Sequence, residues 1–343
     1  MIRFIVHGGY GKTATSFLQE KIFMELDDVL YLGKEPDGSM ISDELKEHYH
    51  ALFPFISQKK FQKLRARNSS LMIAEIGDLI LEEIRRCNQE IVLLSDECII
   101  DFMNYKAELN QLILMRLFTY LQENSDQDIE FQIMMAIRNQ KDVLKSSYAY
   151  GYSLLKDRFE NFEAFIRYGA ENPAEIAFGG YFYDLVLKDL KDLFGEDNVQ
   201  FFVYERMKKE LKAYLGDILE FVGTDHNLDS LDYQTVVNKN SQGDSHTVRE
   251  LKFSTGASIA KRAYRAVKPA LEPLEKIPIV KKLKKKAQKA ADDSIQVVKA
   301  GELKDIPEEV QQTIDEMYAE SNTNLSEMLD EDLEQYGYVT SKP

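Results

Sequence analysis

Gly8, Gly9, Gly11, Lys12 and Thr13 are the residues of this chain whose types and spacing come closest to chemistry. They follow an apolar run (Ile2, Phe4, Ile5, Val6) and lead into a segment with helical periodicity. A strand that passes through a glycine-rich turn into a helix aims backbone N–H groups, a helix N-terminus and here one ammonium at a single point. That is a site for a phosphate-like anion. The glycines allow positive φ and close approach of the backbone. The nucleotide triphosphatase loop has the form G-x-x-x-x-G-K-[ST]. Gly11-Lys12-Thr13 fits its end, but its first glycine would fall on Val6, so this turn is shorter.

A second cluster follows another apolar run. Residues 129–137 read as a buried strand, and Arg138, Asp142 and Ser146 come next at intervals of four. A guanidinium at a strand end meets phosphate in a forked geometry. A hydroxyl two helical turns into the next element can reach the same group. A third run, Ile91 to Ser95, ends in Asp96 and Glu97. Acids at a strand end also suit the magnesium-binding strand of a triphosphatase, so this segment alone leaves both readings open.

Taken together, these segments resemble sulfotransferases that use 3′-phosphoadenosine 5′-phosphosulfate (PAPS). Lys12-Thr13-Ala14-Thr15-Ser16-Phe17-Leu18-Gln19 is similar to that family's K-T-G-T-T-x-L-Q loop, with Ala14 in place of glycine. Ala14 is expected inside the start of a helix, where its methyl favours the helix. Arg138 to Tyr148 is similar to R-x-P-x-D-x-x-x-S-x-Y, with Gln140 in place of proline. Val92 to Glu97 resembles a V-L-L-S-S-E segment of bacterial members, and Val237 to Ser241 resembles a late V-N-x-S stretch. The resemblance implies that Gly9, Tyr10, Gly11, Lys12, Thr13, Ala14 and Thr15 hold the 5′-phosphosulfate. It implies that Arg138 and Ser146 hold the 3′-phosphate, with Lys239 and Arg249 as further candidate donors. Lys12 is the expected catalytic cation. Glu97 and His48, the latter beside His50, are candidate general bases. His7 adjoins the loop and reads as a core histidine bonded to backbone. PAPS is the expected donor and adenosine 3′,5′-bisphosphate the product. The acceptor expected by resemblance is a carbohydrate, glycolipid or small metabolite. Two other classes remain: a P-loop nucleotide kinase or triphosphatase, and a non-catalytic module that binds nucleotide or saccharide.

The elements that must position these residues form a pattern. Strands are expected at 2–7, 90–95, 130–137 and 199–204. Helices are expected at 14–26, 42–52, 70–87, 106–123, 140–153, 158–170, 179–194 and 207–222. Such alternation gives an α/β fold with a central parallel sheet flanked by helices. In such a sheet ligands sit at the carboxyl ends of strands, where the glycine turn, Ser95 to Glu97 and Arg138 all fall. The fold that the resemblance implies is a P-loop-like sulfotransferase architecture with extra C-terminal helices at about 306–338, read as a single domain over 1–343.

Composition sets the remaining bounds. The chain has 343 residues, 44% of them hydrophobic, enough for a sizeable core. Net charge is −15, which argues against nucleic acid as a partner. Residues 257–289 are locally basic and amphipathic, with Pro269, Pro273 and Pro278 interrupting the pattern. Such a segment either packs as a solvated helix face or touches an anionic membrane surface or acceptor. The two cysteines, Cys87 and Cys98, make no disulfide framework. No metal-ligand spacing is visible among the His and Cys residues, and sulfuryl transfer needs no metal. With no leader segment and no apolar stretch of spanning length, the expected location is cytoplasmic, with peripheral contact at the inner membrane surface as the variant that 257–289 allows.

Overall fold

A computed structural model describes residues 1–10, 12–33, 67–95, 107–231, 233, 247–253, 295–303 and 306–341. The expected helix at 42–52, the basic segment 257–289 and the stretch Val237 to Ser241 lie outside the described residues. The described chain divides into two compact units. One comprises 1–143, 166–243 and 308–343, and the other comprises 144–165 and 244–307.

The first unit is built on a five-stranded parallel sheet of order β2-β3-β1-β4-β5. Its strands are β1 (Ile2–Gly9), β2 (Val29–Gly33), β3 (Ile91–Ser95), β4 (Ile129–Ile137) and β5 (Val199–Val203). The strands are apolar almost throughout because both faces are covered, as parallel sheets require. On one face Ile5, Leu93, Met134 and Phe202 join Phe17, Leu18, Tyr214, Leu215 and Ile218 in a common core. These partners come from α1 (Thr15–Lys21) and from α9 (Leu211–Val222). On the other face Phe4, Phe118 and Phe131 form an aromatic cluster, with Phe118 stacked on Phe131 at 3.9 Å between centroids. Phe118 comes from α3 (Ala107–Asn124), which packs beside α2 (Arg67–Cys87).

Four strands were legible as apolar runs, but β2 was not. Val29 to Gly33 is short, sits directly after Asp27 and Asp28, and carries no alternation. The expected helix 14–26 also stops early, at Lys21, and passes into a 3₁₀ turn at Phe23–Glu25. The expected helix 179–194 is two pieces, α6 (Ile176–Gly179) and α7 (Tyr183–Phe194), broken at Gly180 to Phe182. That break presents the Gly180 carbonyl to Tyr10. The segment expected as one helix at 207–222 divides at Glu210 into α8 (Tyr204–Lys209) and α9. The unit closes with α10 (Glu308–Leu329) and a 3₁₀ turn at Leu333–Tyr336, matching the expected C-terminal helices.

The second unit contains most of α4 (Gln140–Leu155) and the start of α5 (Phe162–Glu171). Tyr148, Phe162 and Phe165 pack their rings together there. It also holds an antiparallel ribbon of β6 (Thr247–Phe253) and β7 (Ile295–Glu302), neither of which was anticipated. Among the described residues no helix is long and apolar enough to cross a membrane.

Candidate active site

The glycine-rich turn leaves the carboxyl end of β1 and enters α1. Gly9 stands opposite Ala136 of β4 with φ 139°, and a Cβ there would lie 3.3 Å from the Ala136 nitrogen. Both the angle and the closeness require glycine. Beyond it Lys12 has φ 76° and Ala14 φ 64°, both left-handed. Ala14 is therefore the N-cap of α1 and stands outside the helix, contrary to the expectation from its sequence context. A left-handed alanine is strained by about 1–2 kcal/mol.

Side chains of the turn hold its shape. The Thr13 hydroxyl, fully buried, donates to the Tyr10 carbonyl at 2.6 Å and lies 3.4 Å from the Thr15 hydroxyl. The Thr13 proton is thus committed within the turn, and its free lone pairs cannot bond an anion. Tyr10 turns its side chain inward. Its ring stacks on Tyr181 and meets Tyr183 edge-on, and its hydroxyl donates to the Gly180 carbonyl. Only the backbone of Tyr10 remains to serve a ligand. Lys12 is exposed.

Arg138 follows the carboxyl end of β4, the strand beside β1. Its guanidinium donates through Nη1 to the Lys12 carbonyl at 3.0 Å and through Nη2 to Asp142 at 3.4 Å. Its Cζ lies 5.2 Å from the centroid of Tyr204. The residue is 9% exposed, and its Nε is buried without a hydrogen-bond partner. So the first turn and the arginine, separated by most of the first unit in sequence, are in contact.

The backbone around Arg138 is held from several sides. Tyr183 donates to the Arg138 carbonyl at 2.7 Å. Asn139 caps α4: its side-chain oxygen accepts from the Lys141 N–H at 3.0 Å, and its amide donates to the Gly337 carbonyl at 2.7 Å. Gln140, in the place of the family's proline, bridges α4 to the Tyr181 carbonyl and to Asn322. Glu205 accepts from the Asn139 N–H and from the Tyr338 hydroxyl, each at 3.1 Å. Burial raises the Glu205 carboxyl above its ordinary value, against these hydrogen bonds and the Arg138 charge. Burial likewise raises the Tyr204 hydroxyl.

Beneath the turn lies a polar cluster that joins β1, β3 and α1. His7 Nδ1 is 2.7 Å from Ser95 Oγ, and Gln19 donates to both the carbonyl and the hydroxyl of Ser95. His7 is bonded to a side chain, where backbone was expected. Its ring packs edge-on against Phe23. Burial pushes its pKa down to about 3, so it is neutral near pH 7.

Of the residues singled out by sequence, Gly9, Tyr10, Lys12, Thr13, Ala14, Thr15 and Arg138 are brought together. Ser146 is buried on the second turn of α4 and belongs to the second unit. Gly11, His48, His50, Glu97 and Lys239 lie outside the described residues. Arg249 falls on β6, with its side chain outside them as well. Tyr204, Glu205 and Tyr338 were missed. For the first two a signal existed, because they follow the carboxyl end of β5. Tyr338 reaches the site only through long-range packing. Among the described residues no group of His, Cys, Asp and Glu could hold a metal ion.

Comparison with known proteins identifies a family. The sulfotransferase domain matches residues 4–273 of this chain. The chain is similar in structure to a sulfotransferase from Alicyclobacillus acidocaldarius, with 11% identity, 98% of this chain and 99% of that one covered, and a TM-score of 0.46. A mouse sulfotransferase, SULT7A1, complexed with PAP, matches at 18% identity over 67% of this chain and 61% of that one, with a TM-score of 0.34. The sulfotransferase domain of the Synechococcus PCC 7002 olefin synthase matches at 13% identity over 66% and 74%, with a TM-score of 0.33. No curated protein matches the sequence.

Proposed function

The chain belongs to the sulfotransferase domain family, and from that premise we propose that it moves a sulfuryl group from PAPS to an acceptor hydroxyl or amine. The observation that carries the reading is the bond from Arg138 to the Lys12 carbonyl, which ties the glycine turn and the arginine together. A triphosphatase loop has no need of that arginine.

The residues present fit a bisphosphorylated nucleotide. Gly9 keeps the turn free of a Cβ where the backbone runs closest to β4, and Arg138 holds an unpartnered, buried Nε. Backbone N–H groups of residues 9–13 would hold the 5′-phosphate. Arg138 and Ser146 would take the 3′-phosphate, with Lys239 as a further donor. The bond from sulfur to the bridging oxygen breaks as a bond from sulfur to the acceptor oxygen or nitrogen forms. Lys12 would neutralise the charge that grows on the departing oxygen, the contribution expected to dominate. A general base, Glu97 or His48, would take the acceptor proton. Thr13 serves the shape of the turn. The acceptor is read as a carbohydrate, glycolipid or small metabolite, and contact of 257–289 with an anionic surface or acceptor belongs to the same proposal.

The test is a calorimetric titration of the full chain with adenosine 3′,5′-bisphosphate and, separately, with ATP and Mg²⁺. The bisphosphate is expected to bind more tightly, and Lys12→Ala is expected to abolish sulfated product in a cell extract supplied with PAPS, read by mass spectrometry. Tighter binding of ATP, or full turnover by Lys12→Ala, refutes the reading.

A further inference from the structure

One buried hydroxyl joins the strand before the glycine turn to the helix after it. Ser95, at the end of β3 and shielded from solvent, stands in register with His7 on β1. His7 leads into the turn, and Gln19 lies on α1, the helix that the turn enters. Ser95 Oγ is 2.7 Å from His7 Nδ1 and accepts from the Gln19 amide at 3.0 Å. The same amide donates to the Ser95 carbonyl at 3.2 Å. Both limbs of the turn are thus tied to one residue of a neighbouring strand, and all three residues belong to the first unit.

The protons of this cluster follow from its bonds. Gln19 is the donor to both oxygens of Ser95, so the serine's own proton goes to His7 Nδ1, the acceptor it has among the described residues. His7 is then the neutral tautomer with its proton on Nε2. That nitrogen is buried and has no hydrogen-bond partner among the described residues. Ile5, Phe23, Leu93 and Met134 line the same face as an apolar core. A buried donor left unmatched weakens a fold, and apolar side chains of similar shape would pack there without that cost. Packing alone therefore does not account for the cluster. What it supplies is direction, because hydrogen bonds fix the angle and spacing of the groups they join and apolar contacts do not.

We propose that Ser95 is a positioning residue that clasps the two limbs of the glycine turn and so sets where the turn's backbone N–H groups point. It is buried and acts through His7 and Gln19, not on the nucleotide itself. β3 and β4 flank β1 in the sheet, and Arg138, which follows β4, holds the Lys12 carbonyl. The turn is thereby gripped from both neighbouring strands. The inference rests on the reading given above, in which the turn holds the 5′-phosphate. Its signature is an effect confined to nucleotides that carry that phosphate.

The test titrates the full chain, Ser95→Ala, Gln19→Leu and the double variant with adenosine 3′,5′-bisphosphate, adenosine 5′-monophosphate and adenosine 3′-monophosphate. Each protein is also melted without ligand. Both single variants are expected to bind the two 5′-phosphate nucleotides about three- to tenfold more weakly, the scale of one net hydrogen bond, and the 3′-monophosphate within about twofold of the parent. The double variant is expected to lose no more than the weaker-binding single one, because both changes open the same clasp. If Ser95→Ala fails to fold, Ser95→Cys, which keeps the volume, is titrated in its place. Unchanged affinity for the 5′-phosphate nucleotides, with or without a lower melting temperature, overturns the inference. So does an equal loss for all three nucleotides, or additive losses in the double variant. A parent that prefers ATP with Mg²⁺ refutes the PAPS reading alone, since the 5′-monophosphate still reports the clasp. A parent that binds the 3′-monophosphate as tightly as the bisphosphate overturns both.

Discussion

Replacing Ala14 by glycine tests the conformation of the turn through the sign of the effect. At the first position of an ordinary helix, alanine to glycine destabilises by up to about 1 kcal/mol. Ala14 instead sits at φ 64°, ψ 20°, caps α1 from outside, and makes no side-chain cap bond. The left-handed conformation strains alanine by about 1–2 kcal/mol, which glycine would relieve. Glycine also gives the unfolded chain more freedom, worth about 0.4–1 kcal/mol against the folded state. The Leu18 N–H to Ala14 carbonyl bond, 3.1 Å, involves only backbone and survives. The balance is a stabilisation of about 0.5–1 kcal/mol. The assay is equilibrium urea denaturation of the ligand-free protein, comparing midpoints at unchanged slope. A midpoint lowered by the equivalent of about 1 kcal/mol would place residue 14 in the helix and refute the assigned strain.

Two further predictions concern buried titratable groups. Because the His7 pKa is pushed from 6.5 to about 3 by burial, folding favours its neutral form. Stability from this group is full above pH 6.5 and falls by about 1.4 kcal/mol per pH unit as pH drops towards 3. His7→Phe keeps a ring against Phe23 and should flatten the slope of stability against pH between about 6 and 5; an unchanged slope would show that His7 does not govern it. The Glu205 carboxyl lies above its ordinary 4.5, so the folded state holds the proton more tightly and stability declines as pH rises from 4.5 through the folded value. Glu205→Gln retains an acceptor for the Asn139 N–H, and the Tyr338 hydroxyl can rotate to accept from the new amide. Denaturation midpoints across that window should lose the decline, and a variant that keeps it would remove Glu205 as its source.

How much of this was legible in the sequence depended on range. β1, β3, β4 and β5 declared themselves because a strand covered on both faces is apolar at nearly every position. β6 did not, since Arg249, Glu250 and Lys252 break any apolar pattern and its partner β7 lies beyond residue 294. The glycine turn and Arg138 were readable because each depends on residues adjacent in the chain. The conformation of Ala14 was not, because neighbouring residue types do not report φ. Glu205 and Tyr338 escaped for a related reason: their contacts with Asn139 and with each other join β4, β5 and the last described residues, and no local spacing encodes that meeting.

The same meeting has a consequence for the order in which the protein can mature. The glycine turn is synthesised well before Gly337 and Tyr338, which support Asn139 and Glu205. Until those residues arrive, a nascent chain lacks the bonds that hold Asn139 and Glu205 beside Arg138. On the proposed reading, a chain that stops short of Gly337 would lack these supports, and damage confined to Gly337 and Tyr338 would loosen the backbone beside Arg138 while leaving the site's own residues intact.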